Sequence, residues 1–384
     1  MRVLHFIDSE GLYGAEAVLL SLATAQQRLG HSPVIVSIGS PTSGEKPLEH
    51  EATRRGLIVH PVRMANGPNL QGALALVNLA RDERADVLHC HGYKPNILLG
   101  FLPRRWRPAP LIATVHGYTH GTGLNRMRLY KWLDVRALRR FDRVVLVHSG
   151  MKTIRGLDGL DSHRVAVIEN GLAERDGAPA DMDSRLAAFC RGTVIGAIGR
   201  LSPEKGFDRL IAAFAALVEK GSPAKLVILG EGPERAMLER AVADKGLGER
   251  VLLPGFVDGP RHLQLFSVFV LSSLTEGLPI SLLEAMRAGV PVVATKVGGV
   301  PSVLGDDGGL VVERDDVTGL ARALDRVLTD PSLAAALVRA ASLRVRGFSN
   351  ERMVARYMDE YAVLVRHGAD SGDFIERRTT ASRR

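Results

Sequence analysis

Short runs of β-branched and aliphatic residues recur along the chain, separated by stretches with the apolar spacing of helices. In the first part these runs are Val3–Ile7, Val34–Ile38, Leu57–His60, Val87–His89, Leu111–Val115, Val144–His148 and Val165–Ile168. A polar segment containing Gly177 and Pro179 interrupts them. The runs then restart at Thr193–Ile198, Lys225–Leu229, Arg250–Leu253, Val268–Leu271, Pro291–Thr295 and Gly309–Val312. Apolar strands alternating with helical segments predict an α/β fold, with parallel sheets covered by helices on both faces. The interruption divides the chain into domains at 1–172 and 191–350, joined by a linker over 173–190. In doubly wound sheets ligands bind outside the carboxyl ends of the strands, so two such domains are expected to face each other across a cleft.

The length of 384 residues fits two domains of ordinary size. With 46% apolar and 24% charged residues the composition is that of a folded soluble protein. No apolar run approaches the ~20 residues that span a bilayer, and Val3–Ile7 reads as a first strand rather than a cleavable signal. Cys90 and Cys190 do not make a disulfide framework, and a cytoplasmic location is expected. The net charge of +8 is uneven: residues 1–172 carry 22 Lys and Arg against 14 Asp and Glu, whereas residues 173–384 carry 28 of each. Between Arg104 and Arg155, 12 basic residues meet only Asp134 and Asp142. A basic helix from Arg126 to Phe141 with Leu129, Trp132 and Leu133, and Trp106 among arginines just upstream, makes peripheral contact with an anionic membrane surface the expected use of that charge. No nucleic-acid motif accompanies it, and no nucleic acid is expected.

Candidate chemistry concentrates after the run Val268–Leu271. Glu276-Gly277-Leu278-Pro279 leads into a short helix, with Pro279 expected in its first turn, Glu284 about two turns inside and Gly289 with Pro291 ending it. Free backbone N–H groups and the positive end of the helix dipole would then point into a crevice flanked by two carboxylates, and an anion belongs there. Upstream, Gly199-Arg200-Leu201-Ser202-Pro203-Glu204-Lys205-Gly206 sends two cations from the end of a strand toward the same place. His89 and His91 share one strand face, but no third ligand of metal-site spacing follows them, so no metal is expected.

These two stretches resemble the retaining glycosyltransferases of the GT-B class known as family 4: the Glu-x7-Glu arrangement with Glu-Ala-Met-Arg-Ala-Gly-Val-Pro, the following Val297-Gly298-Gly299-Val300-Pro301, and Gly-Arg-Leu-x-x-x-Lys-Gly. The resemblance runs from about Met1 to Arg366. It implies two Rossmann-like domains, the first (1–172) binding acceptor and the second (191–350) binding a nucleotide sugar. It also implies a helix at 351–367 that crosses back to the first domain; a basic tail follows over 369–384. In the second domain Arg200 and Lys205 would neutralise the leaving diphosphate, Glu276 would touch the transferred sugar and Glu284 the ribose. Backbone groups at Gly199, Gly277, Leu278 and Pro279 would line the phosphates, and those at Gly232 and Val257 the base. In the first domain the loop Asp8–Glu16 is similar to the family's glycine loop, with Gly14 near the donor phosphate and a helix starting near Ala17. His91, Tyr93 and Lys94 match the acceptor side, and Thr114-Val115-His116-Gly117-Tyr118 matches the family's Thr-x-His-Gly, which puts His116 against the sugar or its phosphate and Tyr118 on the acceptor side. Ser302 and Ser267 depart from the common Glu and Asp.

The implied reaction is retaining, metal-independent transfer of a sugar from a nucleoside diphosphate donor, a UDP-sugar being expected over GDP, to a hydroxyl of a saccharide or lipid-linked acceptor in cell-surface polysaccharide or lipopolysaccharide synthesis. The donor is a co-substrate and no further cofactor is expected. A non-catalytic nucleotide-sugar-binding protein and a GT-B epimerase or phosphorylase are the competing classes.

Overall fold

The computed structural model describes residues 1–8, 11–65, 67, 69–117, 126–154, 156–173 and 184–370; Tyr118 therefore lies outside the described residues. The chain forms two compact units, Met1–Gly171 joined by Asn350 onward, and Leu172–Ser349. In the first unit the strands are β1 (Arg2–Asp8), β2 (Ser32–Gly39), β3 (Ile58–Arg63), β4 (Val87–His91), β5 (Leu111–Val115), β6 (Arg143–Leu146) and β7 (Val165–Val167). They pair in parallel in the order β3-β2-β1-β4-β5-β6-β7. The second unit has β8 (Val194–Ile198), β9 (Lys225–Leu229), β10 (Val251–Gly255), β11 (Val268–Leu271), β12 (Val292–Thr295) and β13 (Leu310–Val312), in the order β10-β9-β8-β11-β12-β13. Strands such as β4 and β12 are buried along their whole length because helices cover both faces, and this is why they read as unbroken apolar runs. In each sheet the strand order reverses beside the first strand, between β1 and β4 and between β8 and β11, which opens a crevice at the carboxyl ends there.

The C-terminal helix Asn350–Asp370 belongs to the first unit. Tyr357 and Tyr361, one turn apart on its buried face, reach the sheet: the Tyr361 hydroxyl is 2.7 Å from His89 Nδ1 and the Tyr357 hydroxyl 2.9 Å from Thr114 Oγ1. Ser21 Oγ donates to Asn350 Oδ1 at 2.6 Å and fixes where this helix starts. The stretch expected to be a bare linker contains a helix, Ser184–Phe189, whose Leu186 is buried; residues 174–183 and the tail from 371 lie outside the described residues.

The basic helix spans Arg126–Leu138. Ala137, Leu138 and the following Phe141 are buried, so part of its apolar surface packs inward. Leu129 and Trp132 instead remain 57% and 51% exposed, with the Arg136 guanidinium 3.9 Å above the Trp132 ring. Among the described residues no helix is long and apolar enough to cross a membrane.

Candidate active site

In the second unit the sequence motifs converge on the ends of β8 and β11. After β8 the chain makes a short turn of 3-10 helix, Pro203–Lys205, and Gly206 takes a left-handed φ of +61° beside the Ser272 carbonyl; a Cβ there would sit 2.4 Å from that oxygen. Two further bonds hold this loop to the one after β11: Ser272 Oγ donates to Lys205 O at 2.9 Å, and Leu274 N–H to Glu204 O at 2.7 Å. The result brings Lys205 Nζ to 2.6 Å from Glu276 Oε1, with both side chains mostly buried. Ser273 Oγ donates to the same carboxylate oxygen at 2.6 Å, and Thr295 Oγ1 in turn donates to Ser273 O at 2.5 Å. Glu276 is thus oriented from two sides.

Behind it, Gly298 has φ +51°, and a Cβ there would lie 2.0 Å from Glu276 O; Gly299 N–H donates to Gly277 O at 2.7 Å. The two glycines allow the turn after β12 to press against the Glu276-Gly277 backbone. The helix begins at Ile280, so Pro279 is the residue before the first turn rather than within it. The N-cap residue Pro279 makes no side-chain cap bond and no acidic residue lies in the first turn, so the positive end of the helix dipole is not offset by a carboxylate there. Glu284 is half-buried and four residues inside the helix, one turn from its start instead of two. At the other end Gly289 N–H donates to Met286 O and Val290 N–H to Ala285 O, a Schellman closure that ends the helix at Arg287.

Arg200 is exposed at the end of β8, just beyond Gly199, and is not in the Lys205–Glu276 pair. Gly232 follows β9 and Val257 follows β10, beside the 64% exposed ring of Phe256. Glu231, next to Gly232, is tied up by Arg235 through bonds of 2.7 and 2.9 Å. Ser302 Oγ donates to Gly299 O at 2.8 Å and Ser267 Oγ accepts from Val194 N–H at 3.1 Å, so both departures from the family pattern have local structural roles.

The first unit has its own cavity of about 120 Å³ at the carboxyl ends of β1, β4 and β5, lined among others by Asp8, Glu16, His91, Tyr93, Asn96 and His116. Gly14 opens the helix Gly14–Arg28, earlier than the expected start near Ala17, because Tyr13 N–H donates to Glu16 Oε2 at 2.9 Å and closes the first turn. Tyr93 begins the helix Tyr93–Gly100, and Lys94 Nζ lies 3.7 Å from Asp8 Oδ2. Asn96 Nδ2 donates to the buried Asp134 Oδ1 at 2.8 Å.

His91 stands in a cluster that the sequence did not reveal. His5 on β1 is in register with His89 on β4, and the ligand atoms of His5, His89 and His91 lie within 4.8 Å of one another. The third imidazole missing from the sequence spacing therefore exists, supplied by a strand more than 80 residues away. Each nitrogen of these rings nevertheless has a partner. His5 Nε2 meets Gln26 Oε1 at 2.9 Å and His5 Nδ1 meets His91 Nε2 at 3.2 Å; His91 Nδ1 meets His116 Nε2 at 3.0 Å. His89 bonds Tyr361 through Nδ1 and Thr114 Oγ1 through Nε2 at 2.8 Å. A metal ion at these nitrogens would have to displace these bonds. Burial lowers the pKa of His5 and of His116 to about 4, and that of His89 and His91 well below the ordinary value, with neighbouring histidines adding to the shift for the last two. Burial thus favours the neutral form of all four rings.

Two family models match the chain, "Glycosyltransferase Family 4" over residues 13–174 and "Glycosyl transferases group 1" over residues 185–344. The chain is 29% identical over 311 residues to the UDP-Gal:alpha-D-GlcNAc-diphosphoundecaprenol alpha-1,3-galactosyltransferase of Escherichia coli, covering 77% of this chain and 80% of that protein. It is 30% identical over 316 residues to the GDP-mannose-dependent alpha-(1-6)-phosphatidylinositol monomannoside mannosyltransferase of Mycolicibacterium smegmatis, covering 77% and 81%. Among solved structures, HepE of Anabaena in complex with UDP and glucose superposes with a TM-score of 0.80 at 18% identity, covering 95% of this chain and all of that one.

Proposed function

Since the chain belongs to the group 1, family 4 glycosyltransferases, we propose that it transfers a sugar from a nucleoside diphosphate donor, with retention of anomeric configuration, to a hydroxyl of a saccharide or lipid-linked acceptor in cell-surface polysaccharide or lipopolysaccharide synthesis. The observation that carries this reading is the Lys205–Glu276 pair, set on Ser273 at the start of the helix Ile280–Arg287. As the glycosidic bond breaks, the diphosphate gains negative charge. Lys205, Arg200 and the backbone N–H groups about Gly277, Leu278 and Pro279 meet it, each such contact being worth about 3 kcal/mol of barrier by analogy with oxyanion donors. Lys205 then exchanges part of its bond to Glu276 for the phosphate, and Glu276 turns to the sugar hydroxyls. Glu284 takes the ribose, and Gly199, Gly232 and Val257 the remaining phosphate and base contacts.

For retention we assign attack from the face that the leaving group vacates, with a phosphate oxygen accepting the acceptor proton. In the first unit Gly14 offers its backbone N–H to donor phosphate, His116 contacts the sugar, and His91, Tyr93 and Lys94 serve the acceptor. Two fixed cations and a helix dipole supply the charge that a divalent ion supplies elsewhere, so turnover is proposed to be metal-independent. The UDP-Gal in the name of the Escherichia coli relative and the UDP bound to HepE support a UDP-sugar, and the diphosphoundecaprenol in the same relative's name supports a lipid-linked acceptor.

The test is a panel of UDP- and GDP-sugars with and without polyprenyl-diphosphate saccharide acceptors, in chelator, with the product anomer read by NMR. The expected result is nucleotide release that depends on acceptor and a product with the donor's anomeric configuration. Release without acceptor points to an epimerase, and binding without release to a non-catalytic protein; either contradicts the proposal.

A further inference from the structure

Gln26, on the helix Gly14–Arg28 and fully buried, ends a line of hydrogen bonds that runs through His5 and His91 to His116. Its other end is His116 Nδ1, a buried atom with no hydrogen-bond partner among the described residues, on a ring that lines the cavity of the first unit. Nothing in the reaction proposed above uses Gln26 or His5.

The line has a direction. A neutral imidazole carries one N–H and one bare nitrogen, so each ring donates on one side and accepts on the other. Gln26 presents its oxygen to His5 Nε2 at 2.9 Å, and an amide oxygen only accepts. His5 must therefore hold its proton on Nε2 and accept through Nδ1. The His91 Nε2 at 3.2 Å must then donate, which leaves His91 Nδ1 to accept from His116 Nε2 at 3.0 Å.

We propose that Gln26 is a positioning residue which, through His5 and His91, fixes His116, whose ring lines the cavity, as the tautomer with its proton on Nε2 and a bare Nδ1. This rests on the reading of His116 as a substrate contact and narrows it. A neutral nitrogen lone pair accepts a hydrogen bond from a hydroxyl and offers nothing to a phosphate oxygen, so of the sugar and its phosphate, His116 takes a sugar hydroxyl. Burial lowers the pKa of His5 and His116 to about 4 and that of His91 well below the ordinary value, which favours the neutral rings the assignment needs. Reversing the amide would reverse every tautomer in the line and turn His116 into a donor, so the two directions have opposite specificity.

The experiment is nitrogen-15 NMR of the full chain with labelled histidine, without substrate, assigned with single His→Asn variants. His5, His91 and His116 are expected to be protonated at Nε2. In Gln26→Met, which keeps the volume and removes the acceptor, Nδ1–H forms should appear in all three rings together, and kcat/KM should fall about tenfold. Gln26→Glu, whose oxygens only accept when ionised, should restore both. A proton on His116 Nδ1 in the unaltered protein, or a His116 tautomer indifferent to Gln26→Met, overturns the assignment. Should Gln26→Met fail to fold, the unaltered protein still decides the tautomer. Because that reading needs no substrate, it stands apart from the transfer assay: a protein inactive with every acceptor but showing the expected tautomers would sink the proposed reaction and leave the relay intact.

Discussion

Lys205 Nζ lies 2.6 Å from Glu276 Oε1, so in the proposed reaction a diphosphate competes with a carboxylate for one ammonium. Lys205→Ala removes that ammonium while Ser273 still holds Glu276. We expect transfer to fall by two to three orders of magnitude, with about 3 kcal/mol lost from stability because the mostly buried Glu276 carboxylate is left without its counter-ion, read by initial rates and thermal unfolding; near-normal turnover would remove the role assigned to Lys205. This residue was legible in the sequence because Gly-Arg-Leu-x-x-x-Lys-Gly fixes it relative to a strand end. His5 was not. A lone histidine inside the apolar run Val3–Ile7 looks like any core residue, and its meaning comes from register with His89, a relation that local sequence does not encode. Gln26 was hidden for the same reason, as a polar residue on a helix whose partner sits on a strand.

At the level of elements, the helix Ile280–Arg287 and the loop before it depend on the turn after β12. Gly298→Ala forces a Cβ toward the Glu276 carbonyl, 2.0 Å away, at a φ of +51°. The strain should cost about 1–3 kcal/mol of stability, and the displaced Glu276 loop should lower transfer at least tenfold. Gly221→Ala is the control: its φ of +86° carries similar strain, but a Cβ there meets nothing within 4 Å, so activity should survive. Equal activity loss in both variants would mean that strain alone, and not the Glu276 loop, is responsible. The thirteen strands among the described residues followed from apolar runs, most clearly the central ones such as β4 and β12, which are buried along their whole length; the edge strand β3 has no fully buried residue. Helix ends were less legible. Pro279 sits outside the first turn, and the helix at Gly14 starts early because Glu16 bonds the Tyr13 N–H, contacts of capping geometry that composition does not fix. Ser184–Phe189 escaped notice because a six-residue helix with one buried leucine has too little periodicity to stand out.

Across the whole molecule, the strand alternation restarting after a polar segment made two sheets legible, while the return of the C-terminal helix to the first unit came from the family resemblance and not from any pattern in that helix. The charge surplus of residues 1–172 also has a physical address: exposed Leu129 and Trp132 lie among arginines on one helix. Vesicles containing anionic lipid should retain the protein at low salt and release it at high salt, since exposed charges are screened within ~10 Å at 0.1 M; no co-sedimentation at low salt would leave that helix as ordinary solvated surface. What decides the reaction is where the donor's phosphates go. A crystal structure of the protein with bound UDP-sugar should have the β-phosphate within hydrogen-bond distance of Lys205 Nζ, near the Arg200 guanidinium and against the backbone N–H groups that open the helix at Ile280. Phosphates bound elsewhere, with the Lys205–Glu276 pair undisturbed, would contradict it.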